Sequence, residues 1–167
     1  MQIWASSHTG AVVIVAGALA AGAACGAGSS GATACGPPVR EHLDPAYLVH
    51  VLGDGADVHY RSDPPTSGPH KAGPPVSGVV DAPIARPVQV GILERGDILL
   101  QHDPGLAAAP LADLERLAGA GIVVAPNPEL PDLIVATAWT YKQRCTSVDL
   151  EALRAFIRAH AGKGPDS

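Results

Sequence analysis

The pattern of apolar and polar positions is clearest in the last third of the chain. Residues 133–139 form an apolar run with little polar interruption, which predicts a central strand buried on both faces. Further on, apolar side chains recur at helical spacing and predict a final helix. The apolar face of this helix consists of Leu150, Leu153, Phe156 and Ile157. Thr146 or Ser147 can cap it, and Asp149 favours its positively polarised end.

The middle of the chain predicts a second helix and several short strands. Residues 110–118 begin with proline, repeat leucine on one side and stop before two glycines, so they are predicted to be helical. The predicted strands are residues 47–52, 58–60, 88–93, 97–102 and 122–125. The first two are expected to form one hairpin, and the next two another, with its turn at residues 94–96.

Residues 62–87 are so rich in proline and glycine that regular elements are excluded. We expect a long ordered loop or an arm that wraps the domain, and loops of this length are usually functional. The resulting fold class is α+β, with a single mixed or antiparallel sheet, two packed helices and a long Pro-rich loop.

The first part of the chain differs in composition from the rest, because no Lys, Arg, Asp or Glu precedes Arg40. Residues 1–25 contain a weakly apolar run with the length of a signal-peptide core, which predicts a signal peptide or lipoprotein leader. Residues 26–39 have the composition of a flexible linker, and residues 40–167 are predicted to form one α+β domain. The expected location is extracytoplasmic, with membrane contact only through the leader or a lipid on Cys25 or Cys35.

Two of the cysteines, Cys35 and Cys145, admit two interpretations. In an oxidising compartment they can pair and tether the tail to the last helix. Alternatively, Cys145 is simply buried and Cys35 lies in the leader. The overall charge adds one exclusion: 11 basic and 16 acidic residues, with no basic cluster, are not the footprint of a nucleic-acid-binding protein.

Three short strings occur in order along the domain. They are Pro-Pro-Thr-Ser-Gly-Pro-His at residues 64–70, Leu-Glu-Arg-Gly at residues 93–96 and Thr-Ala-Trp at residues 137–139. Together they resemble the bacterial domain of unknown function 3105 family, and the resemblance covers roughly residues 47–165. Members are secreted, lipid-anchored or membrane-tethered, so the resemblance implies an extracytoplasmic domain. It implies no particular activity.

The chain departs from the family pattern at the second string. The resemblance implies a histidine where this chain has Arg95 and another where it has Gly91. Members also usually carry a tyrosine in the next strand, at the position of His102. A function that depends on the two missing imidazoles therefore needs other ligands here.

The leading hypothesis is a site for a divalent metal ion formed by His59, His70 and Glu94, with His102 replacing a lost ligand. His59 and His70 bracket a segment stiffened by three prolines, and two imidazoles with a carboxylate can bind zinc, iron or cupric copper. Copper or zinc is the expected ion, and cuprous copper is disfavoured because soft ligands are scarce. No tight pair such as His-Glu-x-x-His occurs, so tertiary structure must bring the ligands together.

Other interpretations stay open. The two rings can be structural, with His70 bonded to loop carbonyls. The domain can be a non-catalytic interaction module, with residues 74–87 lying along an envelope protein partner or over the domain's own sheet edge. Ser67 and His70 can belong to a serine/histidine hydrolase, although no Gly-x-Ser-x-Gly motif is present. The three histidines without motif context, assigned to solvent or packing, are His42, His50 and His160.

Overall fold

The computed structural model of the chain describes residues 1–4, 33–53 and 58–167. Within these residues the three helices and six strands confirm the predicted α+β class. In chain order the elements are β1 (Val39–Arg40), β2 (Gly78–Val79), α1 (Arg86–Glu94), β3 (Ile98–His102), α2 (Ala108–Glu115), β4 (Ile122–Pro126), β5 (Ile134–Ala138), β6 (Tyr141–Cys145) and α3 (Leu150–His160). Most of the predicted leader, including Cys25, lies outside the described residues. None of the described helices has the length and apolar character needed to cross a membrane.

The strands form one mixed sheet in the order β1-β6-β5-β3-β4-β2. The β3/β4 and β4/β2 pairs are parallel, and the β1/β6, β6/β5 and β5/β3 pairs are antiparallel. A parallel neighbour requires a crossover connection, which α2 supplies between β3 and β4. Strand β5 has neighbours on both sides and every residue buried, as its apolar run predicts.

Alternate residues of the strands face two apolar clusters on opposite sides of the sheet. Leu100 belongs to the cluster that also contains Leu114 of α2 and Phe156 of α3. Leu99 belongs to the other cluster, together with Ile92 of α1. The sheet is therefore covered by α2 and α3 on one face and by α1 on the other.

Residues 88–93 lie in helix α1, so the prediction of a strand there is wrong. The alternating valine and isoleucine residues imitate a strand, and the periodicity of so short an apolar run cannot separate the two structures. The better signal is Pro87 in the first turn, where a missing N–H and a fixed φ are tolerated. Residues 94–96 accordingly connect α1 to β3 and do not form a hairpin turn.

The hairpin predicted for residues 47–52 and 58–60 is also wrong. Residues 45–48 form turns. Beyond them, His50 forms a single parallel bridge with His70, the last residue of the string at residues 64–70. Val51 N donates to the His70 carbonyl at 2.7 Å, and His70 N donates to the Val49 carbonyl at 3.0 Å. This pairing brings two histidines together that are far apart in sequence.

The proline-rich residues 62–87 are irregular except for β2 and the first two residues of α1, so the exclusion of regular elements there is wrong in part. Most of the first string, residues 64–70, is buried. Buried backbone needs hydrogen-bond partners, and neighbouring segments supply them. Thr140 N donates to the Thr66 carbonyl at 3.0 Å, and Asp44 N donates to the Ser67 hydroxyl at 2.9 Å. These two hydrogen bonds hold the first part of the segment in place.

The second half of this segment, residues 74–87, covers the sheet of its own domain. Strand β2 extends the edge at β4, and three apolar side chains of the segment pack on the α1 side of the sheet. They are Val76, Val80 and Ile84. Of the two roles considered for this arm, covering its own sheet edge is the one that the fold contains.

A disulfide joins Cys35 to Cys145, so the pairing that the sequence left open is present. Both cysteines are buried, and Gly36 N donates to the Arg144 carbonyl at 2.9 Å. Strand β1 follows directly and pairs with β6. The end of the predicted linker is therefore attached to the sheet covalently and by hydrogen bonds.

The Glu41 carboxylate connects the start of the domain to the proline-rich loop and to β6. Its Oε2 accepts hydrogen bonds from the Ser62 hydroxyl at 2.6 Å and the Thr66 hydroxyl at 2.7 Å, and its Oε1 lies 2.9 Å from Lys142 Nζ. Burial disfavours the charged form of Glu41, but these three partners outweigh burial and lower the pKa of Glu41 below its ordinary 4.5.

Replacing Glu41 by glutamine should therefore make the free energy of unfolding less dependent on pH in the acidic range. Because the pKa of Glu41 is lower in the folded chain, its contribution to the free energy of unfolding is complete above 4.5 and is lost as the pH falls through the lowered value. Urea unfolding between about pH 3 and pH 7 measures this. We expect Glu41→Gln to be less stable than the wild type at neutral pH, by a difference that shrinks in acid; Glu115→Gln, on α2, is the control. A difference that does not change with pH would contradict the assignment.

Candidate metal centre

Three side chains from separate segments meet beside the last turn of α1: His50, His70 and Glu94. His70 is the last residue of the string at residues 64–70, and Glu94 is the last residue of α1. His50 is positioned by its parallel bridge to His70. Each side chain is therefore placed by backbone hydrogen bonds of a different part of the chain.

The geometry of the group is compact and partly open to solvent. His70 is buried, with 1% of its surface exposed, and its Nε2 lies 2.7 Å from Glu94 Oε2. The exposed ring of His50 meets the ring of His70 edge-on, with the centroids 4.7 Å apart. One nitrogen or oxygen atom from each side chain lies within 4.8 Å of the other two.

The hydrogen bonding of His70 leaves Nε2 without a hydrogen-bond donor. Nδ1 lies 3.3 Å from the Gly68 carbonyl oxygen, and a proton on Nδ1 can be donated to it, which leaves a lone pair on Nε2. Nε2 makes no hydrogen bond of acceptable geometry with any described residue. Nε2 and the carboxylate of Glu94 are then two acceptors in contact, and a proton or a cation has to satisfy both.

The electrostatics of Glu94 favour the same interpretation. Burial raises the pKa of Glu94, and the nearby carboxylate of Asp166 raises it further. His70, His50 and Arg95 act in the opposite direction but do not cancel the increase. The raised pKa means that the charge of Glu94 is poorly compensated, so either a proton on the carboxyl or a cation between Glu94 and His70 can relieve it.

Holding zinc requires side-chain rotations at two places. Two ligand atoms that each lie about 2.1 Å from a tetrahedral zinc are about 3.4 Å apart. His70 Nε2 and Glu94 Oε2 are closer than this, at 2.7 Å, and the 4.8 Å bound of the group is longer, so the Glu94 carboxylate has to turn away from His70 and the exposed His50 ring has to turn toward it. Two imidazoles and one carboxylate form a common ligand set for zinc, and the set leaves at least one coordination position for water.

A family model described as "Protein of unknown function (DUF3105)" matches residues 45–167. The chain belongs to the DUF3105 family. The matched region begins just before His50 and includes His70 and Glu94, so the whole candidate centre lies in the DUF3105 domain. No curated protein and no solved structure matches the chain.

Of the four ligands expected from the sequence, the DUF3105 domain brings His70 and Glu94 together and leaves out the other two. His59 is exposed and lines a cavity with Asp63 and Arg86, apart from the centre. His102 is buried at the end of β3, and its Nδ1 lies 2.9 Å from the Asp103 carbonyl oxygen. Neither belongs to the group of potential ligands.

His50 is the member of this group that the sequence did not indicate. It has no local motif, and its proximity to His70 depends on a bridge between segments twenty residues apart. The geometry does not support the hydrolase alternative. Ser67 Oγ accepts a hydrogen bond from Asp44 N, and the described residues contain no hydrogen bond between Ser67 and an imidazole.

The two positions at which the resemblance implies histidines both lie beside the centre. Arg95 follows Glu94 directly at the end of α1. Gly91 is buried one turn earlier, and a Cβ atom there would lie 2.7 Å from the carbonyl oxygen of Lys71. Helix and loop approach so closely because position 91 carries no side chain. In this DUF3105 domain, His50 and not His102 lies close to His70 and Glu94.

Proposed function

We propose that this DUF3105 domain binds a divalent metal ion, zinc or cupric copper, through His50, His70 and Glu94. The observation that carries the proposal is the buried Nε2 of His70, 2.7 Å from Glu94 Oε2 and without a hydrogen bond of its own to a described residue. A buried acceptor in this position is costly unless a proton or cation satisfies it. Both ions accept this ligand set.

The surroundings support a binding site that exchanges its ion with the solvent. His70 is held by the loop, and the Gly68 carbonyl favours the tautomer with a free Nε2, as in metal sites where the second ring nitrogen is hydrogen-bonded. The exposed face of His50 gives the ion a route to solvent. The ion, when bound, supplies positive charge and an open coordination position.

We further propose that the domain works outside the cytoplasm, where it holds or delivers the ion. The support is the buried disulfide between Cys35 and Cys145, since such bonds persist mainly in oxidising compartments. Fractionation of cells that produce the full chain, followed by thiol labelling of the protein, tests the location separately from metal binding.

Metal binding is tested by calorimetric titration of zinc and cupric ions into protein that carries no histidine tag and has been stripped with a chelator. We expect one ion per chain. His70→Ala and Glu94→Gln should each weaken binding about 100-fold, since each removes one of three protein ligands.

Two further variants keep the test decisive even if His70→Ala folds poorly. His50→Ala removes an exposed ring and should weaken binding without loss of structure, which circular dichroism checks. His59→Ala, which removes another exposed ring from the same region, should bind the ion like the wild type. The proposal fails if folded wild-type protein takes up no ion, or if His50→Ala and His59→Ala bind it equally well.

A further inference from the structure

A cavity with cationic and apolar lining lies next to the candidate metal centre. It has a volume of about 260 Å³ and lies between the loop that follows His70 and the outer side of α1. Two cationic residues, Lys71 and Arg95, line it together with five apolar or small residues. The latter are Ala72, Gly73, Pro74, Val76 and Val88.

The guanidinium of Arg95 has an unused hydrogen-bonding edge. Its Nε and Nη2 are both buried, and neither makes a hydrogen bond to a described residue. The carboxylate of Asp97 is the nearest counter-charge, with Oδ2 3.4 Å from Nε, outside hydrogen-bonding geometry. Buried donors without partners are costly, and a rotation of the partly exposed side chain that turns this edge toward the cavity would let a ligand satisfy them.

Arg86 shows what the same edge does when it is occupied. Its Nε and Nη2 donate to the two carboxylate oxygens of Asp63, at 3.0 and 2.7 Å. This paired arrangement is the preferred way in which arginine holds a carboxylate. In Arg95 the equivalent pair of nitrogens has the Asp97 carboxylate nearby but outside hydrogen-bonding geometry, and the side chain borders a cavity.

We propose that this cavity binds a small organic acid, with its carboxylate on Arg95 and Lys71 and its apolar body among Ala72, Pro74, Val76 and Val88. The volume lies just below the usual range of about 300–1,000 Å³ for ligand sites, which limits the ligand to the size of a benzoate or a short branched fatty acid. Asp97 disfavours a doubly charged phosphate, because its own negative charge lies beside the guanidinium. The proposal goes beyond metal binding and depends on different side chains.

The experiment is a calorimetric titration of benzoate into chelator-stripped protein, with benzyl alcohol and benzylamine as probes of the same shape. Benzoate should bind, and the alcohol and the amine should not. Arg95→Gln should weaken benzoate binding at least about tenfold, because two charge-assisted hydrogen bonds are lost. Arg116→Gln is the matched control, since Arg116 is exposed, directly follows α2 and does not line the cavity.

A second variant covers the case in which Arg95→Gln is unstable. Lys71 is exposed, so Lys71→Gln should fold normally and should also weaken benzoate binding. The proposal is overturned if the wild type does not bind benzoate, if Lys71→Gln and Arg116→Gln bind it equally, or if benzyl alcohol binds as tightly as the acid. No metal is present in this titration, so a negative result does not contradict metal binding. A negative metal titration likewise does not contradict benzoate binding.

Discussion

Replacing Cys35 and Cys145 together by alanine is expected to lower the free energy of unfolding by about 4 to 5 kcal/mol. The bond closes a loop between residues that are 110 positions apart, so its loss restores much conformational freedom to the unfolded chain. It also frees the segment before β1, which the bond attaches to β6. Urea unfolding followed by circular dichroism measures the change.

The wild type in a reducing agent is the control for this experiment, because it loses the bond without any change of side-chain volume. Its stability should fall by a similar amount, and the double variant should not respond to the reducing agent. Each single alanine variant should lose nearly as much as the double variant, since either one breaks the bond. A double variant as stable as the oxidised wild type would contradict the prediction.

Gly91→Ala is expected to lower the free energy of unfolding by about 1 to 2 kcal/mol and to weaken zinc binding. The added Cβ would lie 2.7 Å from the carbonyl oxygen of Lys71, so the helix and the loop must move apart. Such overpacking costs about 1 to 3 kcal/mol, and the higher helix propensity of alanine returns only up to about 1 kcal/mol of it. Because Lys71 follows His70 directly, the movement also displaces the ring of His70.

Gly73→Ala provides a matched control for this substitution. Gly73 lies in the same loop, and a Cβ atom there would meet no heavy atom within 4 Å. Its replacement should leave stability and zinc affinity close to those of the wild type. Chemical unfolding and zinc titration of the two variants side by side measure both effects. Equal values for the two variants would show that the contact at Gly91 does not constrain the loop.

The sequence predicts the elements whose burial follows from a local pattern. Strand β5 and helix α3 were predicted close to their observed bounds because their apolar residues repeat with the right period. The cap of α3 was placed too early, since Asp149 itself accepts hydrogen bonds from Glu151 N and Ala152 N.

The strand β6 could not be predicted in the same way, because its burial depends on distant partners. Its polar residues Lys142 and Gln143 are buried: one lies beside Glu41 and the other donates to the Gly36 carbonyl at 2.8 Å. These partners come from the beginning of the domain, about a hundred residues earlier. A local pattern of polar residues indicates an exposed loop, and only the fold reverses that interpretation.

The residues of the candidate centre also differ in whether a local pattern marks them. His70 and Glu94 lie in strings that the sequence already marked, so they could be selected without a structure. His50 entered the site through a backbone bridge that no periodicity signals, and His59 was selected because it precedes the same stiff loop. His59 lies at the other end of this loop, is exposed and is not among the three side chains that the fold groups together.

The last residues of the chain run back over the end of α1. Gly162 N donates to the Gly96 carbonyl at 2.8 Å, and Asp166 N donates to the Glu94 carbonyl at 3.2 Å. A purification handle fused after Ser167 would thus start next to a proposed ligand. A run of histidines in that position would compete for the ion and would give a false stoichiometry. Handles for this protein belong on the other end of the folded domain, ahead of Cys35.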